Sequence, residues 1–334
     1  MATSNDITIR SGGYALRNFL RFEAESHLLI PADAFHVEFG DVPVADLRVL
    51  KALGDVTINI GSTRIFTGRI DELLNSGDAD GSTTAIDGRN AAADLLDCQA
   101  DVTDLNQAGL NMLAAVVFIP LGISRIDVRT DKSYVVHDIQ KSSPTETAWD
   151  LVHRYAKKQG VFLRIDENAA LVLYEPDYAA APSFAIRHSL SAPGSAGNNV
   201  LAWDATFSRV RYSHVTVLGA TKEVAYTAQD ADLAAEGIRR ERTISDYEVT
   251  TVAQAKTRAD AEIALNRIKG LSVKYTLPGF RNSAGALYRP DTVASVHDER
   301  LDVRRDLFVV AVRYRHGPAE QGTEVTVVEK GSIT

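Results

Sequence analysis

Near the start of the chain, "DVTINIGSTRIFTGRIDEL" (55–73) alternates apolar and polar residues, and near the end "DLFVVAVRYRH" (306–316) is a strand-like run of six apolar residues that then alternates. Alternation at period two puts one set of side chains on one face of a strand, so each run needs a core on one side only. "DITIRSG", "FHVEFGD" and "STTAIDG" repeat the pattern between residues 5 and 88, and Gly61-Ser62 falls where a hairpin turn fits. Short strands with polar turns predict a small barrel or sandwich there. The four runs "LSVKYTLPGF", "DTVASVHD", "DLFVVAVRYRH" and "TEVTVVEK" predict a second β module at the other end, a hint of duplication.

The middle reads differently. In "GRNAAADLLDCQA" (88–100), Ala91, Ala92, Leu95 and Leu96 suit one face of a short helix. Leu105, Ala108, Met112 and Ala115 continue a helical stripe until "IPLGI" stops it. In "SPTETAWDLVHRYAKKQG" (143–160), Ser143 reads as N-cap, Pro144 as first helical residue, Glu146 as capping-box partner and Gly160 as left-handed C-cap. A hairpin turning at Asp166-Glu167-Asn168 follows. "SAPGSAGNN" (191–199) reads as a connector and "ADLAAEGIRRERTISD" (231–246) as an exposed polar excursion. Residues 251–270 form a second strong helix with Val252, Ala255, Ala259 and Ile263 on its apolar face. The order is β, α/β, β.

The chemistry-bearing residues form no catalytic constellation. The eight histidines never fall within five residues of one another, and the single cysteine removes the usual zinc signatures and any internal disulfide. No metal site and no cofactor is expected. Nucleophile-elbow, phosphate-loop and dinucleotide motifs are absent. Cys98, among Asp94, Asp97 and Asp101, lacks the electropositive setting of a nucleophile and reads as a small buried packing residue. "HDERLD" (297–302) reads as a turn between strands. Arg300, Arg304, Arg305, Arg313 and Arg315, interleaved with Asp302 and Asp306, suit ion pairs between subunits. The first hundred residues hold 8 Lys and Arg against 15 Asp and Glu, a net −7 of the chain's −8, which argues against gripping nucleic acid. "MLAAVVFIPLGI" (112–123) is too short to span a bilayer, and the start shows no signal-peptide pattern. The residues alone point to a structural or binding protein, not an enzyme.

Five segments, in order, resemble the baseplate hub proteins of Mu-like contractile phages, part of the tail protein D and VgrG-type hub superfamily. Gly88, Arg89, Asp94, Leu95, Asp97 and Cys98 match that family's connector G-R-[DN]-x3-D-L-[ILV]-D-C. "IPLGI" is similar to its C-A-P-[FY]-G-[IV] element, with Phe118 and Ile119 in place of Cys and Ala. "ETAWDLVHRYAKKQGVFLRIDENAALVLYEP", with Trp149 and Gly160, resembles its helix and hairpin, although Ala169-Ala170 stands where a turn glycine is usual. "NVLAWDATFSRVRYSHVTVLG" is similar to the strand opening its second barrel. Gly279, Phe280, Gly285, Tyr288 and Pro290 match its last signature.

The resemblance implies an α+β, mainly β fold: two tail-tube-like β-barrel domains, 1–97 and 191–334, joined by a mixed module, 98–190, with a long helix at 251–269. It implies a homotrimer forming a pseudo-hexameric ring between a hexameric tail tube and a trimeric central spike, in the baseplate of a virion assembled in the host cytoplasm. DNA would pass without specific binding, and Asp71, Glu72, Asp78 and Asp80 are candidate channel-lining acids. A pyocin-like injection device, a siphophage distal-tail component and a hub with cell-wall hydrolase activity are the alternatives.

Overall fold

The computed structural model describes residues 5–50, 52, 54–100, 104–134, 136–141, 143, 145–191, 197–318 and 321–331. The first ninety residues fold as β1 (Ile7–Ser11), β2 (Tyr14–Leu16), β3 (Phe19–His27), β4 (Ala34–Phe39), α1 (Val44–Leu50), β5 (Asp55–Ile60), β6 (Thr63–Gly77) and β7 (Ser82–Asn90). The middle holds α2 (Ala92–Asp97), β8 (Asp104–Gly109), α3 (Leu110–Phe118), β9 (Ile126–Val128), β10 (Val136–Lys141), α4 (Ala148–Gln159), β11 (Phe162–Ile165) and β12 (Leu171–Tyr174). The remainder comprises β13 (Phe184–His188), β14 (Ala202–Phe207), β15 (His214–Leu218), β16 (Ala225–Gln229), α5 (Ala231–Ala235), β17 (Glu241–Ser245), α6 (Val252–Ile268), β18 (Leu271–Pro278), β19 (Thr292–Asp298), β20 (Val303–His316) and β21 (Gln321–Val328). The fold is α+β and mainly β.

The alternating runs at the two ends build the same object twice. The strand order β3-β4-β7-β6-β5 recurs as β14-β18-β21-β20-β19, and every pairing in both sets is antiparallel. Each set has one long strand, β6 or β20, whose first part pairs with one neighbour and whose second part pairs with another. Each long strand shifts register midway, between Ile70 and Glu72 or between Val309 and Ala311, as a bulge does where a strand must bend.

The two sets do not close into two barrels. Beyond the reach of β19, β20 takes β3 as its partner, from Ala311 opposite His27 to His316 opposite Phe22. The result is one thirteen-stranded sheet whose path ends, β14 and β2, stay apart. Both sets bury their apolar face in a common core, where Phe22, Ile58 and Ile86 join Tyr275, Phe280 and Val325. On the other face the seam is tied by charge. Arg313 stands opposite Glu25 (3.1 Å), and Arg315 stands opposite Glu23 (3.2 Å) and also reaches Glu324 (2.9 Å). These arginines pair within the chain, and Arg305 likewise pairs with Glu329.

Three local expectations change for physical reasons. Leu105 and Ala108 lie in β8, paired with β10, because Gly109 is extended and starts the helix only at Leu110; Met112 is exposed. The N-cap of α4 is Thr147, not Ser143: its side chain accepts the Asp150 N–H (3.1 Å), while Thr145 at φ 67° breaks any earlier turn. Ser143 still donates its N–H to Glu146 (2.9 Å), and Pro144 lies outside the described residues. The polar stretch 231–246 contains α5 and β17, and β17 joins β15 and β16 in a sheet that packs on α6 through Val215, Val217, Ala259 and Ile263. Helix α6 begins with a full capping box between Thr251 and Gln254. Of the expected connector, residues 192–196 lie outside the described residues.

The hairpin between β11 and β12 turns through Ala169 at φ 60°, a left-handed conformation that costs a residue with a Cβ roughly 1 kcal/mol. Asp166 holds the turn by accepting the N–H groups of Asn168 (2.9 Å) and Ala170 (2.8 Å). Ala169→Gly is expected to raise stability by about 0.5–1 kcal/mol, read from urea unfolding.

Candidate assembly interface

The connector at 88–98 is a set of constraints on one turn of chain. A Cβ on Gly88 would lie 2.1 Å from the Arg69 carbonyl oxygen and 2.4 Å from the Phe35 ring, so only glycine fits between β6 and that ring. Arg89 donates to Asp71 (2.6 Å) and Asp97 (2.8 Å), and Arg69 donates to Asp94 (2.8 Å). The hydrogen bond from Arg89 holds the Asp97 carboxyl below the usual range. Leu95 is buried in the middle core. The Cys98 carbonyl accepts the Ala148 N–H (3.0 Å) and so satisfies the start of α4. The Cys98 thiol is only half-buried, a correction to the buried packing role: its position matters through the backbone.

Trp149, 3% exposed, stacks on Phe118 with ring centroids 6.2 Å apart at 10°. Gly160 ends α4 at φ 66°. The loop 279–290 turns through Gly279 (φ 67°) and Gly285 (φ 81°). It buries Phe280 against Tyr314 (5.9 Å) and Tyr288 against Phe184 (4.9 Å), both edge-on. Arg281 donates to the Ile60 carbonyl (2.9 Å), and Arg289 pairs with Glu167 (2.7 Å). Pro290, half-buried, closes the loop. This loop thus ties the first β set, the middle hairpin and the last β set together.

Among the four candidate channel acids, Asp71 is the extra residue of the β6 bulge and is engaged by Arg89. Glu72, Asp78 and Asp80 are exposed, the last two at the tip between β6 and β7. Glu72 stands opposite Asp87, Asp87 opposite His36, His36 opposite Glu23, and Glu23 opposite Arg315. Directly opposed residues share a face, so one side of the sheet carries a continuous charged row.

The "HDERLD" cluster is structural. Asp298 is fully buried and accepts from Tyr275 (2.8 Å) and the N–H groups of Arg300 (2.9 Å) and Leu301 (3.0 Å), and it pairs with His188 Nδ1 (3.0 Å). It pins β13, β18 and β19 at one point. Among the described residues no group of acidic, histidine and cysteine side chains could hold a metal, and no helix is long and apolar enough to cross a membrane.

Three segments match family models in order. Residues 6–90 match the N-terminal domain of Mu phage baseplate assembly protein GpP-like chains. Residues 92–175 match the second domain of baseplate hub protein gp44-like chains. Residues 251–332 match the fourth domain of Mu phage baseplate assembly protein GpP. The chain belongs to the Mu-type baseplate hub family. It is 22% identical over 325 residues to baseplate hub protein gp44 of Escherichia phage Mu, covering 92% of this chain and 83% of that one. The 43 kDa tail protein of prophage MuSo2 from Shewanella oneidensis shares the fold at TM-score 0.84 and 24% identity, covering 98% and 99% of the two chains. A tail protein from Neisseria meningitidis does so at 0.83 and 21%, covering 98% and 97%.

Sequence reading of this hub-family chain missed the seam itself: Glu23 and Glu25 opposite Arg313 and Arg315. A signal existed in "FEAES" and "VRYRH", whose charges alternate with opposite sign. It also missed Arg281 and Arg289, whose partners lie far away in sequence.

Three substitutions test these constraints. Gly88→Ala is expected to destabilise by at least about 2 kcal/mol, because both obstacles are part of the packed sheet. Gly54→Ala, with nothing within 4 Å of the new Cβ, should stay within about 0.5 kcal/mol of the parent by urea unfolding. Burial pushes the Asp298 carboxyl up, but hydrogen bonds from His188, Leu301 and Tyr275 outweigh it and hold it below its ordinary value. Its stabilisation is therefore present above the unfolded-chain value near 4 and is lost as pH falls through the lower folded value. Asp298→Asn should cost about 3 kcal/mol at neutral pH and reduce the fall of the urea midpoint below pH 4.

Proposed function

We propose that the chain is the central hub of a contractile-tail baseplate, acting as a homotrimer in which the two β sets alternate around the tail axis. The observation that supports this most is the run of three baseplate domain matches in chain order. Residues 1–97, 98–190 and 191–334 are its working units, two tube-like and one mixed. Six similar sets in a ring mate with a sixfold tail tube on one side, and the trimer mates with a threefold spike on the other. No enzymatic step belongs to this role.

The duplicated strand order indicates how such a ring closes. β14 is to the last set what β3 is to the first, and β6 is to the first what β20 is to the last. β3 lies along 311–316 of β20. The equivalent stretch of β6, 72–77, pairs only with β7 among the described residues, and β14 pairs only with β18. Both free edges expose apolar side chains: Leu74 (53%), Trp203 (42%) and Phe207 (59%). Superposing the two bulges lays β14 of one copy on β6 of the next, with Thr206 opposite Leu74 and Phe207 opposite Leu73. Three such contacts alternate with three intrachain seams, and a head-to-tail contact whose rotation closes makes a ring. The charged row with Glu72, Asp87 and Glu23 then faces the channel, where fixed negative charge keeps phosphates from settling.

In a Cys98→Ser background, Leu74→Cys with Thr206→Cys should yield, on mild oxidation, a covalent trimer of three times 36.3 kDa. Each single variant should yield none. A monomeric native mass at high concentration, or a double variant that never crosslinks, contradicts the ring.

A further inference from the structure

The seam within the chain ends in a packed apolar knot. One residue past β3, Leu28 donates its N–H to the Val310 carbonyl (2.9 Å). Its side chain packs on a buried cluster of Val293, Phe308, Val310, Ala311 and Val328.

The duplicated strand order gives each of these positions a counterpart in the first set. Val310 and Asp71 are the two bulge residues, and Ala311 and Glu72 follow them. Phe308 lies between Val328 and Val293 as Arg69 lies between Arg89 and Asp55. Five apolar side chains of the last set are thus five charged ones in the first. Helix α2 adds Asp94 and Asp97, so five carboxylates meet two guanidiniums and the patch is net negative. Arg69 is shared between Asp55 (3.3 Å) and Asp94 (2.8 Å), and Arg89 between Asp71 (2.6 Å) and Asp97 (2.8 Å). Exposed Glu72 has no ion pair among the described residues.

Leu28 has a counterpart too. Phe22 and Trp203 occupy matching rows of the two sets, Phe22–Val37–Ile86–Leu73 and Trp203–Tyr275–Val325–Val312. Counting on equally from each, Leu28 corresponds to Arg209. The Arg209 side chain is 75% exposed, and its pair with Glu236 (2.9 Å) lies at the surface, where such pairs contribute little. Its backbone is fixed: Ser208 donates its N–H to the Gly270 carbonyl (3.1 Å), and Arg240 donates to the Arg209 carbonyl. Both sides of the contact differ together. Within the chain an apolar residue meets an apolar cluster; at the open edges a cation is the counterpart of that residue and an acidic patch the counterpart of that cluster. This complementarity points to a second copy as the occupant of the patch.

We propose that Arg209 of one copy pairs with Glu72 of the next, so that charge holds the joint between subunits where apolar packing holds the joint within a subunit. The pairing rests on the ring proposed above and names what selects its order. Two copies meeting β6 to β6 would oppose acidic patches, and two meeting β14 to β14 would oppose arginines. Only the head-to-tail order brings opposite charges together.

The test follows assembly of the full chain by sedimentation velocity over a dilution series, with the folding of each variant checked by thermal unfolding. Arg209→Glu should raise the concentration for half-assembly about tenfold or more, and Arg209→Lys about threefold or less. The loss should shrink at about 1 M NaCl, where charges act over only about 3 Å. Glu72→Arg alone should weaken assembly in the same way, and Arg209→Glu combined with Glu72→Arg should recover most of the loss. Arg209→Glu that assembles as tightly as the parent, or a double reversal no tighter than the weaker single variant, would overturn the pairing. The ring is read separately, from the crosslink of Leu74→Cys with Thr206→Cys. A covalent trimer together with an unaffected Arg209→Glu keeps the ring and removes this contact, whereas a parent chain that stays monomeric removes both.

Discussion

The pairing of β3 with the far half of β20 is the constraint on which the rest of the molecule depends. It joins residues nearly three hundred positions apart and converts two similar strand sets into one sheet. Closing so long a loop is entropically costly, and the common apolar core offsets that cost. The Arg–Glu pairs on the opposite face are partly exposed and contribute little stability each; their larger effect is to select register, since a slip by one residue would set like charges and apolar groups on the wrong face. With the seam in place, the loop 279–290 and the connector 88–98 only need to hold the middle unit at a fixed angle to the sheet.

Much of this was legible from residue patterns. Alternation at period two marked the strands at both ends, because a half-buried strand must alternate. The apolar stripe Val252, Ala255, Ala259 and Ile263 marked the long helix, and Gly160 closed α4 in the left-handed conformation that glycine favours. What failed was of two kinds. Leu105 and Ala108 have helical spacing but sit in β8, because a strand partner decides the conformation of so short a run. The barrels failed because period two announces a strand and its buried face but not its neighbour. Nothing local says that β3 pairs with β20, 288 positions away at Glu25 and Arg313.

The same limit applies to the candidate site. Gly88, Arg89 and Asp97 stand out in sequence, and in the structure they give steric and electrostatic support to a junction. The surfaces suited to contact are edges and faces: the open edge of β14, the far half of β6 and the charged row running through Glu72 and Glu23. Such surfaces are defined by topology, so they emerge only once the strand order is known. The duplicated order explains how a single polypeptide can present two equivalent surfaces; the proposed threefold ring would use them to meet a sixfold tube.

The most direct test is a cryo-electron microscopy reconstruction of the assembled baseplate without imposed sixfold symmetry. The account predicts three copies around the axis, with the two strand sets of each copy superposing on a rotation near 60° and with β14 continuing the sheet of the next copy at residues 72–77 of β6. A ring in which one strand set lies away from the axis, or in which β14 faces solvent, would contradict it.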